Sequence, residues 1–263
     1  MSGTTAESTW ALGDYPEMAR RLRPAADTAV ATAALEPGTT LLDVGCGTGN
    51  AALAAARLGA TVTGADPTAR LLSLAAERAR GERLPITWLH ADTTGLTGAF
   101  DRVVSVFGAM YAPDHRQAAD AMLRCCTPGG RIVSAAWTPD GFMAAANRVL
   151  AAYLPPPPPG ARPPSEWGEL AYLQDLFAPH HITATTRGVP FHFPSALEAA
   201  EFWTRTAGHL QAERPRIEAQ GTWTALHHDL AALFTEHNQA SSEPDDTTVL
   251  ITSEYLLATI TPA

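Results

Sequence analysis

The sequence predicts an α/β fold with a mostly parallel sheet, and three observations support this prediction. Apolar strand-like segments alternate with helical patterns as far as about residue 137. A glycine-rich turn at residues 45–49 joins the first strand to an alanine-rich helix. Acidic residues stand near the ends of the first three strands, at Asp43, Asp66 and Asp92. In such folds the crossovers are right-handed, and ligands bind at the carboxyl ends of the strands.

The first half of the chain supplies most of these elements. Apolar residues at helical spacing predict an N-terminal helix over residues 15–35, which Pro37 and Gly38 bring to an end. Pro67 suits the first turn of a later helix, because an N–H there would be unpaired in any case. The other predicted elements are a strand at 41–44, a helix at 51–58, a strand at 60–65, a helix at 68–80, and strands at 86–91, 100–105 and 131–134.

The second half is less regular. Five consecutive prolines at 155–159 predict a stiff extended connector, since they fit neither a helix nor a central strand. Helices are predicted at 142–153 and 166–177, and strands at 182–193 and 247–261. Between those strands, two helical stretches at about 195–208 and 215–238 are interpreted as an inserted lid over an acceptor pocket.

The glycine turn also indicates which ligand to expect. Its spacing is G-x-G-x-G, whereas the dinucleotide fingerprint is G-x-G-x-x-G, and Asp43 stands two residues before the first glycine. This strand and turn, followed by the acids at 66 and 92, the strand 100–105 and a Pro-Gly-Gly before the strand 131–134, resemble the class I S-adenosylmethionine-dependent methyltransferases.

The resemblance implies a Rossmann-like sheet of seven strands with the last one antiparallel, helices on both faces and a helical lid. It implies one domain over residues 1–263, with a cofactor-covering helix at 10–36 and a lid at about 195–240. The segment 107–115 also resembles bacterial small-molecule methyltransferases likened to those of quinone biosynthesis. Within that segment, Asp114 is expected to cap a helix and His115 to be structural.

The same resemblance assigns S-adenosylmethionine as the cofactor and S-adenosylhomocysteine as its product. Asp66 matches the acid that holds the ribose hydroxyls, and Asp92 matches the acid near the adenine amino group. Tyr15 and Arg20 are candidates for the ring and the cation near the methionine end, although core packing and a solvent-facing arginine explain them equally well. The full set of predicted cofactor contacts is Tyr15, Arg20, Asp43, Gly45, Gly47, Gly49, Asn50, Asp66, Pro67, Asp92, Thr93, Ser105 and Phe107.

The implied reaction is in-line transfer of a methyl group to carbon, oxygen or nitrogen of an acceptor. Positioning suffices for an electron-rich acceptor, whereas a phenol or an indole benefits from a base. His209, Tyr111 and His227 are the candidate catalytic residues. The aromatic residues of the lid favour a small, partly aromatic acceptor of secondary metabolism.

Composition limits the other partners. Eighteen basic and twenty-seven acidic residues give a net charge of −9, and the absence of a basic run argues against a nucleic-acid substrate. The sequence predicts a cytoplasmic protein with no membrane segment, and it is compatible with an assembly of identical chains. Nine histidines without ligand spacing, and three cysteines without zinc spacing, predict no metal site.

Three other functions remain open from the sequence. A nicotinamide-dependent oxidoreductase also carries an acid about twenty residues after its glycine turn, as Asp66 does here. A non-catalytic partner could keep the fold without the reaction. A cyclase could use the bound cofactor without, or after, methylation.

Overall fold

The computed structural model describes residues 9–240 and 247–262. The chain forms two compact units. The sheet unit is drawn from Leu22–Pro139, Gly160–Arg187 and Tyr255–Ala263, and the helical unit from Met1–Arg21, Asp140–Pro159 and Gly188–Glu254. The first helix and the last two strands contribute residues to both units.

The sheet has seven strands in the order β3-β2-β1-β4-β5-β7-β6. Strands β1 to β5 pair in parallel, and β7 runs antiparallel to β5, with Trp137 opposite Tyr255. The predicted fold class, including the antiparallel last strand, is therefore confirmed. The strands are β1 Thr40–Val44, β2 Thr61–Asp66, β3 Ile86–His90, β4 Phe100–Val106, β5 Cys126–Trp137, β6 His181–Phe193 and β7 Val249–Thr261.

Nine α-helices are found among the described residues. Short 3-10 helices follow β3 at Thr93–Gly95 and β4 at Ala109–Tyr111, and a third spans Pro164–Gly168. The α-helices are α1 Tyr15–Thr32, α2 Asn50–Arg57, α3 Ala69–Glu82, α4 His115–Cys125, α5 Phe142–Ala151, α6 Leu170–Leu176, α7 Ala196–Thr206, α8 Gly208–Ala219 and α9 Trp223–Glu236.

Small side chains in α2 shape the core of the sheet unit. Ala52, Leu53 and Ala55 of α2 have no exposed surface, and neither does Leu41 of β1. Because alanine has no side chain beyond Cβ, α2 can lie close to the sheet while its N-terminus stays at the carboxyl end of β1. The alanine-rich pattern thus sets the position of the helix that follows the glycine turn.

Aromatic side chains form the core of the helical unit. The ring of Phe142 lies 5.6 Å from Trp203 and 4.9 Å from Phe234, and Phe193 lies 5.6 Å from Phe234. Each such pair contributes about 0.5–1.5 kcal/mol beyond the burial of its area. The aromatic residues of the predicted lid therefore pack against one another within this unit.

The helix pattern differs from the prediction in the second half of the chain. Residues 195–238 form three helices rather than two, because Ala207 is extended and a Cβ on Gly208 would lie 2.1 Å from the carbonyl oxygen of Thr9. Pro215 lies inside α8 instead of starting a helix, and Gly221, with φ of 71°, separates α8 from α9. The proline run at 155–159 lies outside any helix or strand, as predicted.

The predicted helix at 166–177 is also divided. Glu169, with φ of −108° and ψ of 124°, separates the 3-10 helix Pro164–Gly168 from α6. The cause is close packing, since a Cβ on Gly168 would lie 2.1 Å from the carbonyl oxygen of Trp137 and Trp167 is fully buried. Within residues 9–240 and 247–262, no helix has the length and apolar character needed to cross a membrane.

Candidate active site

The glycine turn after β1 is the first part of the site. Gly45, Gly47 and Gly49 have φ angles of 67°, 54° and 82°, in the left-handed region that favours glycine. A Cβ on Gly45 would lie 2.7 Å from Cα of Gly108, and a Cβ on Gly108 would lie 2.6 Å from the carbonyl oxygen of Val44. The backbones that follow β1 and β4 therefore approach so closely that neither position accommodates a side chain without a shift.

Asp43 ties this turn to the helix that follows it. Its side chain is 2% exposed, and Oδ2 accepts a hydrogen bond from the backbone N–H of Ala52, in the first turn of α2, at 2.9 Å. Burial raises the pKa of Asp43 to about 7, and the nearby charge of Asp66 adds to the effect. The carboxyl group thus fixes α2 against β1 and is itself shielded from water.

Asp66 ends β2 and binds two backbone amides. Oδ2 accepts from the N–H of Gly47 at 2.8 Å, and Oδ1 accepts from the N–H of Thr68 at 2.8 Å. Burial raises the pKa of Asp66, while these hydrogen bonds act in the opposite direction. A carboxylate offers about four acceptor positions, so two remain for a ligand.

Asp92 follows the neighbouring strand. In the β2–β3 register Asp66 stands opposite His90, two residues before Asp92. Oδ1 of Asp92 accepts from the N–H and the hydroxyl of Thr94, at 2.8 and 2.5 Å, and these hydrogen bonds lower the pKa of its exposed carboxyl group. Thr93 begins the short helix that Asp92 caps. The carbonyl oxygen of Pro67 lies 2.8 Å from Nε2 of His90.

Ser105 and Phe107 lie at the carboxyl end of β4. The Ser105 hydroxyl, 1% exposed, donates to the carbonyl oxygen of Val44 and accepts from the N–H of Ala109, both at 2.8 Å. The protein itself thus uses the proton of this hydroxyl and one of its two acceptor positions. Phe107 has a φ of 54°, uncommon for a bulky residue, and its ring stacks on Trp137 with centroids 3.8 Å apart.

Tyr111 ends the short helix after β4. Its half-buried phenol is hydrogen-bonded to the side chain of Trp137, and burial raises the pKa of Tyr111 to about 12. Because the indole N–H can only donate, the phenol oxygen is the acceptor in this contact. A phenol with this pKa is protonated at neutral pH, so Tyr111 is better suited to donate a hydrogen bond than to remove a proton.

Asn50 starts α2, and an arginine that the sequence analysis did not select lies beside it. Nη1 of Arg78, from α3, donates to Oδ1 of Asn50 at 3.0 Å and to the carbonyl oxygen of Thr48 at 2.5 Å. Nothing in the sequence distinguishes Arg78 from the other arginines of α3. Trp88 of β3 is a second such residue, since a Cβ on Gly49 or Gly64 would lie within 2.9 Å of its ring.

The other predicted site residues belong to the helical unit. Tyr15 packs the edge of its ring against Trp10, with centroids 5.7 Å apart, and Arg20 is exposed. Burial lowers the pKa of both His209 and His227, which favours the neutral ring that a general base requires. Nε2 of His227 is buried without a hydrogen-bond partner among the described residues. The roles of these four residues stay predictions.

Within the sheet unit, the carboxyl ends of β1 to β4 bring together the remaining predicted residues. This set of groups fits S-adenosylmethionine. Ribose hydroxyls and an adenine amino group are donors, and carboxylates follow two adjacent strands to accept from them. The N–H groups at the N-terminus of α2 lie at the same edge, where they can bind a ligand.

Comparisons with known proteins agree with this assignment. A methyltransferase-domain family model matches residues 41–130. The protein Rv1403c of Mycobacterium tuberculosis, which has no assigned function, is 38% identical over 188 residues, covering 70% of this chain and 69% of that protein. The chain belongs to the class I S-adenosylmethionine-dependent methyltransferases. It is thus an enzyme whose cofactor is S-adenosylmethionine, and this activity replaces the nicotinamide-dependent alternative.

Solved structures share the fold of this methyltransferase. The YcgJ protein of Bacillus subtilis has a TM-score of 0.62 at 17% identity, covering 91% of this chain and 99% of that one. Magnesium protoporphyrin IX methyltransferase from Synechocystis, with bound S-adenosylhomocysteine, has a TM-score of 0.56 at 13% identity, covering 92% and 84%.

The bound cofactor supplies an electrophilic methyl group, and the protein's own residues provide the surroundings. Asp66 and Asp92 would accept hydrogen bonds from the ribose and the adenine, and the N-terminus of α2 would offer backbone N–H groups. Asp43 keeps α2 in place behind that turn. In this arrangement these residues would bind and orient the cofactor, which is the main requirement for an in-line transfer.

Proposed function

We propose that this enzyme methylates a small, partly aromatic acceptor at oxygen, nitrogen or carbon. The observation that carries the proposal is the group of aromatic residues at the carboxyl ends of β4 and β5, formed by Phe107, Tyr111 and Trp137. Ligands of parallel sheets bind at this edge, and the cofactor residues occupy the same edge at β1 to β3. Flat apolar side chains beside a cofactor favour a flat apolar acceptor.

Tyr111 adds a polar contact to this proposal. The Trp137 N–H donates to the phenol oxygen, and the phenol stays protonated at neutral pH. A donated hydrogen bond would orient an acceptor that carries an oxygen, such as a phenol or a quinone precursor. In this proposal Tyr111 positions the acceptor, and His209 and His227 stay separate candidates for a general base.

The chemistry of the whole chain supports a small acceptor and a reducing compartment. A net charge of −9 disfavours RNA and DNA, whose phosphates require a basic surface. Cys46, Cys125 and Cys126 are buried free thiols, as is usual for proteins of the cytoplasm. We therefore place the activity in the bacterial cytoplasm, in the secondary metabolism of small molecules.

The test is an acceptor screen with purified protein and S-adenosylmethionine. Phenols, hydroxyindoles, hydroquinones, aliphatic amines and a structured RNA are incubated separately, and methylated products are identified by mass spectrometry. Products from one of the three aromatic classes would support the proposal. Turnover confined to the aliphatic amines or the RNA would overturn it.

Variants then separate the proposed roles on the acceptor found. Tyr111→Phe should raise the KM for the acceptor with a smaller effect on kcat, because it removes one orienting hydrogen bond. His209→Asn or His227→Asn should lower kcat about 100-fold, within the usual range for loss of a general base. His228→Asn is the control, since the side chain of His228 is 83% exposed beside His227. Equal kcat in all three histidine variants would remove both histidines from the mechanism.

A further inference from the structure

Arg78 makes an unusual set of contacts for a helical arginine. Its Nη1 lies 2.5 Å from the carbonyl oxygen of Thr48, 3.1 Å from the hydroxyl of Thr48 and 3.0 Å from Oδ1 of Asn50. The arginine comes from α3, thirty residues further along the chain. One guanidinium nitrogen therefore connects α3 to the two residues on either side of Gly49.

Intrinsic backbone preference does little to fix the segment that Arg78 contacts, although the N–H of Gly49 donates to the carbonyl oxygen of Cys46 at 2.8 Å. Thr48 lies between two glycines in the left-handed region, with φ angles of 54° and 82°, and glycine has the greatest backbone freedom to lose. The cap position of α2 is Gly49, which supplies no side chain to bind the first N–H groups of the helix. The carbonyl oxygen of Thr48 is held from outside the turn, by Arg78.

Two such contacts come from the same strand-to-helix unit. Asp66, at the end of β2, holds the N–H of Gly47, and Arg78, on the helix that follows β2, holds the carbonyl oxygen of Thr48. Asp66 and Arg78 therefore form hydrogen bonds with the backbones of two successive residues of the turn. The carboxyl group predicted to bind ribose and the guanidinium thus fix the same piece of backbone.

Stabilisation of α2 does not explain why the Arg78 guanidinium lies at the N-terminus of that helix. The N-terminus of α2 carries partial positive charge, so a cation beside it is unfavourable. Burial also lowers the pKa of Arg78, which indicates that the charged group is partly removed from water. The three oxygen acceptors on Thr48 and Asn50 offset these costs.

We propose that Arg78 is a positioning residue that holds residues 48–50 in the conformation that binds the cofactor. The inference rests on the family's cofactor and does not depend on which acceptor is methylated. Arg78 acts through the backbone of Thr48 and through Asn50. Without these hydrogen bonds the turn can adopt other conformations. Cofactor binding must then order the turn, which costs free energy that the native protein does not spend on binding.

The test compares Arg78→Met and Arg78→Lys with Arg80→Met. Arg80 lies on the same helix and is exposed, so its variant controls for the loss of one positive charge from α3. Binding of S-adenosylhomocysteine is measured by titration calorimetry at 10 °C, and thermal unfolding is measured in parallel. Hydrogen exchange of residues 47–50 is measured with and without S-adenosylhomocysteine.

The expected result is a 10- to 100-fold weaker affinity in Arg78→Met, partial recovery in Arg78→Lys and an unchanged affinity in Arg80→Met. Exchange at residues 47–50 should be faster in free Arg78→Met and should return to the native rate when S-adenosylhomocysteine is bound. Native affinity in a folded Arg78→Met would overturn the proposal. If Arg78→Met does not fold, Arg78→Lys decides: unchanged exchange and affinity would overturn the proposal, and weakened affinity with faster exchange would support it.

Discussion

The backbone N–H of Gly47 donates to Oδ2 of Asp66 at 2.8 Å, so the glycine turn after β1 is held by the residue that ends β2. The other oxygen of Asp66 is bound by the N–H of Thr68. Since a carboxylate can accept about four hydrogen bonds, Asp66 can hold the turn and still accept from the hydroxyls of a ribose. In this assignment Asp66 would both bind the ligand and support the binding loop.

Asp66→Asn tests this double function. The asparagine amide carries an NH2 group in place of one carboxylate oxygen. This group would face a backbone N–H, and two donors cannot form a hydrogen bond. We expect the affinity for S-adenosylhomocysteine to fall by about 1–3 kcal/mol and the free energy of unfolding to fall by a similar amount. Titration calorimetry and urea denaturation measure the two effects. Asp120→Asn, at an exposed position of α4, should change neither, and native binding by Asp66→Asn would contradict the double function.

The sheet and most of its acids could be predicted because their signals are local. Alternation of strands and helices predicts a parallel sheet, and a residue that ends a parallel strand must lie at the carboxyl edge whatever surrounds it. Asp43, Asp66 and Asp92 were placed correctly for that reason. Their partners could not be predicted, because the N–H groups of Ala52, Gly47 and Thr94 become available only through the detailed path of the backbone.

Gly108→Ala tests the close approach of the backbones after β1 and β4. Gly108 has an ordinary negative φ of −109°, so an alanine would be strained only by contact with the carbonyl oxygens of Val44 and Gly45, at 2.6 and 2.7 Å. We expect a loss of about 1–3 kcal/mol in the free energy of unfolding and weaker binding of S-adenosylhomocysteine.

Gly81→Ala is the matched control for this substitution. Gly81 lies in α3, and a Cβ there would have no neighbour within 4 Å. Alanine is favoured over glycine in a helix by about 0.5–1 kcal/mol, so this variant should be more stable than the native protein. Equal effects of the two substitutions, measured by urea denaturation, would show that the contact at Gly108 is unimportant.

The raised pKa of Asp43 predicts a pH-dependent stability. The folded protein keeps the proton on Asp43 up to about pH 7, whereas the unfolded chain loses it near 3.8. Between these values the folded state binds more protons, so this group makes the free energy of unfolding decrease as pH rises, by about 4 kcal/mol at most. Asp43→Asn removes the titration while keeping an oxygen for the N–H of Ala52.

The measurement is the difference in unfolding free energy between Asp43→Asn and the native protein, at pH 4.5 and pH 7.5. The variant should gain stability relative to the native protein at the higher pH, because only the native protein then has a buried charge at this position. A difference that is the same at both pH values would show that Asp43 is ionised throughout this range.

Contacts between distant residues explain where the sequence was insufficient. The sequence around Arg78 does not distinguish it from other arginines on helices. Only the folded chain brings Arg78 close to Thr48. Similarly, the break between α7 and α8 depends on Gly208 meeting the carbonyl oxygen of Thr9, almost two hundred residues earlier. Arg20 was also chosen from the sequence alone, as the cation of the N-terminal helix. Its neighbour Arg21 makes the hydrogen bond and the ring contacts that the structure describes.

Arg21 and Arg20 provide the last test. Arg21 donates to the carbonyl oxygen of His192 at 2.9 Å, and its guanidinium lies 4.5 Å from the ring centroids of both Phe193 and Phe202. Arg21→Met should therefore lower the free energy of unfolding by about 2 kcal/mol. Arg20→Met should change it by less than about 0.5 kcal/mol, because Arg20 is exposed.

Cofactor affinity is expected to depend on Arg20, whereas stability is expected to depend on Arg21. If Arg20 is the cation near the methionine end, Arg20→Met weakens S-adenosylhomocysteine binding about tenfold while its stability is unchanged. Titration calorimetry at a temperature where both variants are folded gives the comparison. Native affinity in Arg20→Met would remove Arg20 from the cofactor site, and the solvent-facing interpretation of this residue would then stand.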